Sequence, residues 1–167
     1  MSEVGPALEP GFRSFSDLLR LHRKLDQLFL DHQRALLRLD LKSALAALEL
    51  FETELLLHMQ DEEELLIPLY GERADLPLGG TVAIFLGEHE KMRQYLVLFK
   101  EEMAKLAAEK DLERGVLWLL DSQHLFKRLL VHHDSREKKM LYPLLDQVTT
   151  DEERETLFAM MKSQPTH

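Results

Sequence analysis

From Ser16 to Leu39 the run "SDLLRLHRKLDQLFLDHQRALLRL" places apolar residues three and four positions apart, the spacing of one face of an amphipathic helix. Ser14 or Ser16 suits its N-cap, and Asp40 marks a short break. The same spacing predicts a second helix from about Lys42 to Tyr70. The glycines and proline of "GERADLPLGG" then predict a loop. A third helix is expected over about Thr81 to Glu109, a turn at "EKDLE", and a fourth helix from about Leu112 to Gln147. Thr150 is a cap-like start for a short last helix ending near Lys162. No segment alternates apolar and polar residues as a half-buried strand does. The expectation is an all-α chain: an antiparallel up-down-up-down four-helix bundle with a short C-terminal helix. The domain limits read as a loose tail over 1–13, the bundle over 14–147, and the short helix with its tail over 148–167.

Polar residues interrupt the apolar faces at related places. "HMQDEEELLIP", His58 to Pro68, and "HDSREKKMLYP", His133 to Pro143, both read H-x3-E-x5-P. Positions four apart differ by about 40° around a helix, so His58 with Glu62, and His133 with Glu137, face one way. In an antiparallel bundle, residues equally far from a turn lie at one height. His22 and His58 are equidistant from residue 40, in the first turn, and His89 and His133 from residue 111, in the third. Glu62 and His89 flank the middle of the Gly-rich loop in the same way. Four histidines, one per helix, therefore fall at nearly one level. Leu18, Leu25, Phe29, Leu55, Leu65, Leu66, Met140 and Leu141 surround them with apolar neighbours, which turns these faces inward. An ionised carboxylate there is costly unless paired or bound to a metal. Imidazoles combined with carboxylates suit iron, manganese or zinc.

Composition narrows the chemistry. The chain has 167 residues, enough for one domain with its own core, and no cysteine. That excludes disulfides, thiolate metal sites and a cysteine nucleophile. A formal charge of -9 argues against a nucleic-acid partner. No apolar run reaches the roughly 18 residues of a membrane span, and no basic-then-apolar leader is visible, which fits a cytoplasmic protein without a membrane partner.

A lone HxxxE is cheap, and His22 with Asp26 forms a similar pair; the full H-x3-E-x5-P occurring twice is not cheap. Over about residues 14–147 the chain resembles the hemerythrin-like, or HHE cation-binding, family. That family's pattern reads "H … HxxxEExxLFP … EH … HxxxExxxLFP". The matches are His22, His58-Glu62-Glu63 through "LLIP", Glu88-His89, and His133-Glu137 through "MLYP". The ferritin-like di-iron bundle uses Glu-x-x-His pairs at i, i+3, the reverse order and a different spacing. The resemblance implies two non-haem iron ions, oxo- or hydroxo-bridged, with Glu62 and Glu137 bridging. One ion would take His22 and His58, the other His89 and His133, and the ligand would be dioxygen or nitric oxide. Oxygen-carrying members have a further histidine where this chain has Arg93, and an arginine does not ligate. With octahedral ions that leaves about two open positions, favouring sensing, redox or iron-handling roles over reversible oxygen carriage. A di-iron enzyme reducing peroxide or nitric oxide or repairing iron-sulfur centres, and a metal-free structural bundle, are the alternatives.

The remaining candidates read as ordinary residues. Asp26, Asp61, Glu63 and Glu64 read as solvated charges. Arg93 reads as a partner for a site carboxylate or a surface ion pair. His32, His124, His132 and His167 lie too far along, or point away from, the common level. Trp118 and Tyr95 read as packing, and Pro68 and Pro143 as bends or stops.

Overall fold

The computed structural model describes residues 13–163, and every regular element among them is helical. A short 3-10 turn, Phe15–Leu18, leads into α1 (Leu19–Leu37), followed by α2 (Leu41–Asp61), α3 (Ile67–Arg73), α4 (Val82–Leu106), α5 (Leu112–Arg136), α6 (Tyr142–Val148) and α7 (Asp151–Met160). The expected tail, apart from Arg13, and His167 lie outside the described residues. Polar caps start the helices where the sequence places them. Ser14 and Asp17 form a capping box, as do Thr150 and Glu153. Asp40 and Asp111 accept from the backbone N–H of Ser43 and Arg114.

The helical backbone does not stop before Pro68 and Pro143. Each helix passes through a wide π turn, Glu62–Leu66 or Glu137–Leu141, and continues as α3 or α6 with the proline in its first turn. The backbone N–H of Ile67 bonds the Glu62 carbonyl, and that of Tyr142 the Glu137 carbonyl, five residues back instead of four. A proline in a regular helix interior lacks a donor and collides with the carbonyl four residues earlier. The wide turn just upstream, together with a first-turn position, avoids both penalties.

α1 packs on α2, α2 on α4, α4 on α5 and α5 on α1, which encloses a core in two blocks. One block contains Leu25, Phe29, Phe51, Leu55, Phe99 and Phe126; the other contains Phe15, Leu66, Tyr70, Phe85, Leu141 and Leu145. Along α1, α2, α4 and α5 a buried histidine sits between the two blocks. α7 closes the second block through Phe158, whose ring is 5.2 Å from that of Phe15. The chain after α7 is tied down by Asp61, which accepts from the backbone N–H of Lys162 and of Ser163 at 2.8 Å each. Asp61 is thus buried and bonded where a solvated charge was expected. Trp118 also departs from expectation: it is 67% exposed and contributes nothing to the core. Among the described residues no helix is long and apolar enough to cross a membrane.

Phe126 is fully buried and meets the rings of Phe29, Phe51, Tyr95 and Phe99 at 5.2 to 6.0 Å. Phe126→Ala is expected to cost about 3–5 kcal/mol of stability, read from the urea midpoint at unchanged slope.

Candidate metal centre

The six residues singled out by spacing converge between the core blocks, and all are buried. α1 carries His22, α2 His58, α4 His89 and α5 His133, while Glu62 and Glu137 each open a π turn. His22 Nε2 faces His58 Nε2 at 3.0 Å, and His89 Nε2 faces His133 Nε2 at 3.2 Å. The carboxylates stand between these pairs. Glu62 turns Oε1 toward His58 Nε2 at 3.2 Å and Oε2 toward His89 Nε2 at 3.1 Å. Glu137 turns Oε2 toward His22 Nε2 at 2.8 Å and Oε1 toward His133 Nε2 at 2.5 Å. Two four-residue groups result, His22-His58-Glu62-Glu137 and His89-His133-Glu62-Glu137, each with its ligand atoms within 4.8 Å of one another.

These residues fit a pair of metal ions. Glu62 Oε2 and Glu137 Oε1 are buried without a hydrogen-bond partner, although an imidazole nitrogen is close to each. Buried polar groups are almost always satisfied, so the two orphaned oxygens call for a partner of another kind. Facing Nε2 atoms both present lone pairs when each imidazole carries its proton on Nδ1, and then have the same need. A cation in each group answers both, and the N/O donor set suits a borderline divalent or trivalent ion.

Tyr142, which the spacing argument missed, also enters the cluster. Its hydroxyl lies 2.7 Å from Glu62 Oε1, 3.0 Å from Glu137 Oε2 and 3.1 Å from His22 Nε2. Five residues beyond Glu137, it would lie about 140° away on a regular helix. The intervening π turn, closed by an i to i+5 bond, brings it back over the carboxylate.

A cavity of about 20 Å³ touches the cluster, lined by His22, His58 and His133 and by apolar Leu25, Phe51, Leu55, Met92 and Leu130. That is room for a molecule of about the size of water. Asp26 stands at its edge as an exposed acid.

The hemerythrin HHE cation binding domain matches residues 14–145, nearly the whole of the chain that holds this cluster. The chain belongs to the hemerythrin HHE cation-binding family. No curated protein matches it, and no solved structure does.

Around the HHE residues an outer layer of carboxylates faces the second nitrogen of the imidazoles. Glu63 Oε1 lies 2.9 Å from His89 Nδ1 and takes 2.8 Å hydrogen bonds on both oxygens from Arg93 Nη2. Glu63 is therefore not a solvated charge, and Arg93, at the place of the missing histidine, acts on His89 through it. Asp134 Oδ1 faces His22 Nδ1 at 3.3 Å, and Glu88 Oε2 faces His133 Nδ1 at 3.8 Å while its other oxygen pairs with Arg136 Nε at 2.9 Å. Such carboxylates fix the tautomer and ring orientation of metal-binding histidines. Each sits next to a motif residue, Glu63 in the first π turn, Glu88 on α4 and Asp134 on α5, and adjacency in sequence was the only signal available. Among the described residues the other histidines stand apart from the cluster: His124 and His132 are exposed. His32 is buried between the Ala44 carbonyl at 2.7 Å and Gln123 Nε2 at 2.9 Å.

Protonation in the metal-free state follows from the same geometry. Burial disfavours the His22 cation, but Glu137 and, less strongly, Asp134 and Glu62 outweigh it and raise its pKa from 6.5 to about 9. His133 is likewise raised well above the ordinary value, by Glu137 against the opposing effect of burial. His58, facing His22, is lowered by burial despite the opposing effect of Glu62. Burial opposes ionisation of Glu137, yet His133 and His22 hold its carboxyl well below the usual range. Asp134 is pushed up to about 6 by burial, with His22 opposing.

A histidine whose folded pKa exceeds its unfolded value stabilises fully below the unfolded value and loses that contribution as pH rises through the folded one. For His22 the window runs from 6.5 to about 9. Metal-free protein is therefore expected to unfold at lower urea concentration at the top of this window than at its bottom, and His22→Gln to shrink the difference; equal midpoints at both ends would contradict this.

Proposed function

We propose that this chain holds two non-haem iron ions and uses them to bind or sense a small ligand such as dioxygen or nitric oxide, or to handle iron under redox stress. The observation that carries the reading is the sharing of two carboxylates between two histidine pairs: each of Glu62 and Glu137 offers one oxygen to each group. His22 and His58 complete one ion, His89 and His133 the other. The long helices are read as an up-down-up-down antiparallel bundle, which brings a histidine from each of the four to one level. A cytoplasmic location, with neither nucleic acid nor membrane as partner, accords with the acidic charge and the absence of a membrane-spanning helix among the described residues.

The ions supply Lewis acidity and redox chemistry when bound. The chain's own residues do the rest. Glu62 and Glu137 fix the separation of the two positions. Glu63 holds the His89 imidazole from behind, while Asp134 and Glu88 set negative charge behind His22 and His133. Leu25, Phe51, Leu55, Met92 and Leu130 give the small cavity beside His22, His58 and His133 an apolar wall, with room for a molecule of about the size of water. The small size of this cavity suits a small ligand.

Metal analysis of protein grown with iron, with absorption spectra in air and after anaerobic reduction, tests the reading. About two irons per chain, with an oxo-bridge band that bleaches on reduction, is the expected result. Less than about half an equivalent of any metal after reconstitution would overturn it and leave a structural bundle. Glu63→Ala, which removes the link between Arg93 and His89, is expected to weaken metal affinity by about 10–100-fold in a chelator competition while leaving helicity unchanged.

A further inference from the structure

The two H-x3-E-x5-P motifs differ at the residue before proline, Ile67 in the first and Tyr142 in the second. Both residues follow a π turn and both are buried. Ile67 brings only hydrocarbon, whereas Tyr142 brings an oxygen into the His22–His58 group and leaves the His89–His133 group without an equivalent. The oxygen faces Glu62 Oε1 and Glu137 Oε2, the carboxylate atoms turned toward the first group.

The distances carry the argument. Neighbouring donors around an octahedral ion with bonds of about 2.1 Å stand about 3.0 Å apart. In the first group His22 to His58 is 3.0 Å, His58 to Glu62 3.2 Å and His22 to Glu137 2.8 Å. The Tyr142 oxygen extends the set at 3.1 Å from His22, 2.7 Å from Glu62 and 3.0 Å from Glu137. The hydroxyl has one proton, so it satisfies only one of the two carboxylate oxygens within its reach at a time. One oxygen within 2.7–3.1 Å of three ligand atoms is an arrangement open to a further donor to the same ion.

We propose that Tyr142 is a fifth protein ligand to the metal held by His22 and His58, so that the centre is asymmetric, with five protein donors on that ion and four on the other. This rests on the two-ion reading above. On loading, the phenolic O–H bond breaks, an oxygen–metal bond forms, and the proton passes to solvent; no electron moves.

Full-length protein loaded with iron(III) tests it without reference to activity. The expected result is a visible phenolate-to-iron charge-transfer band with resonance-enhanced tyrosine ring vibrations. Both are lost in Tyr142→Phe at unchanged iron content, and both are kept in Tyr70→Phe and Tyr95→Phe. Iron uptake with no such vibrations in the parent protein, or an identical spectrum in Tyr142→Phe, would overturn the tyrosine assignment and leave the two-ion reading standing. Failure of the parent to take up iron would overturn both. If Tyr142→Phe does not fold or load, ring-deuterated tyrosine in the parent decides: the enhanced vibrations shift if tyrosine is bound, and the absence of any shifting vibration overturns the assignment.

Discussion

Two carboxylates, Glu62 and Glu137, lie with no solvent exposure between two blocks of aliphatic and aromatic core, and the rest of the structure is arranged around that burden. Withdrawing an ionised carboxylate from water costs several kcal/mol unless charges or ligands of opposite sign replace the water. Each carboxylate is met on one side by the His22–His58 pair and on the other by the His89–His133 pair. Without metal, protons on His22 and His133 make up part of the balance. The same groups are organised to exchange those protons for cations, because metal binding requires deprotonated donors. The metal-free form is therefore a compromise, and the orphaned oxygens of Glu62 and Glu137 are its visible remainder.

The helix backbone is adjusted to this centre. A wide turn begins at each of the two glutamates and ends just before a helical turn containing proline. Such turns are uncommon and concentrate at functional sites. Here they let a helix bury residues five apart, Glu62 and Ile67 or Glu137 and Tyr142, at a spacing that a regular helix would splay apart. The prolines are tolerated because the regular ladder is already interrupted upstream. Behind the centre, charged residues reach inward from partly exposed positions: Arg93 through Glu63 to His89, and Arg136 through Glu88 toward His133. The buried charges are thus connected to the surface through pairs, which lowers the cost of holding them.

Much of this was legible in the chain. Caps at Ser14 and Thr150, the break at Asp40 and the Gly/Pro-rich loop, which begins at Ala74 since α3 runs on through Arg73, locate the helices because capping and chain reversal depend on local residue chemistry. The two H-x3-E-x5-P motifs and the symmetric placement of His22 and His89 about the turns pick out six residues, because helical period and turn position together define height and facing. What escaped this reasoning all depends on contacts between elements or on a departure from the regular period. Trp118 looks like core by type but lies on an outer face. Asp61 looks solvated beside three glutamates, yet the chain after α7 returns to it.

The sequence by itself determined an all-helical chain and which histidines and glutamates share a level, since both follow from spacing along single helices. Only the tertiary structure decided that Glu63, Glu88 and Asp134 face imidazoles, that Asp61 anchors the end of the chain, and that Tyr142 joins the cluster. Those outcomes turn on two π turns and on which neighbouring helix lies opposite. The hydrogen bond that widens a helix by one residue leaves no period of its own in the sequence, and a carboxylate's partner is chosen across a gap that sequence distance does not measure.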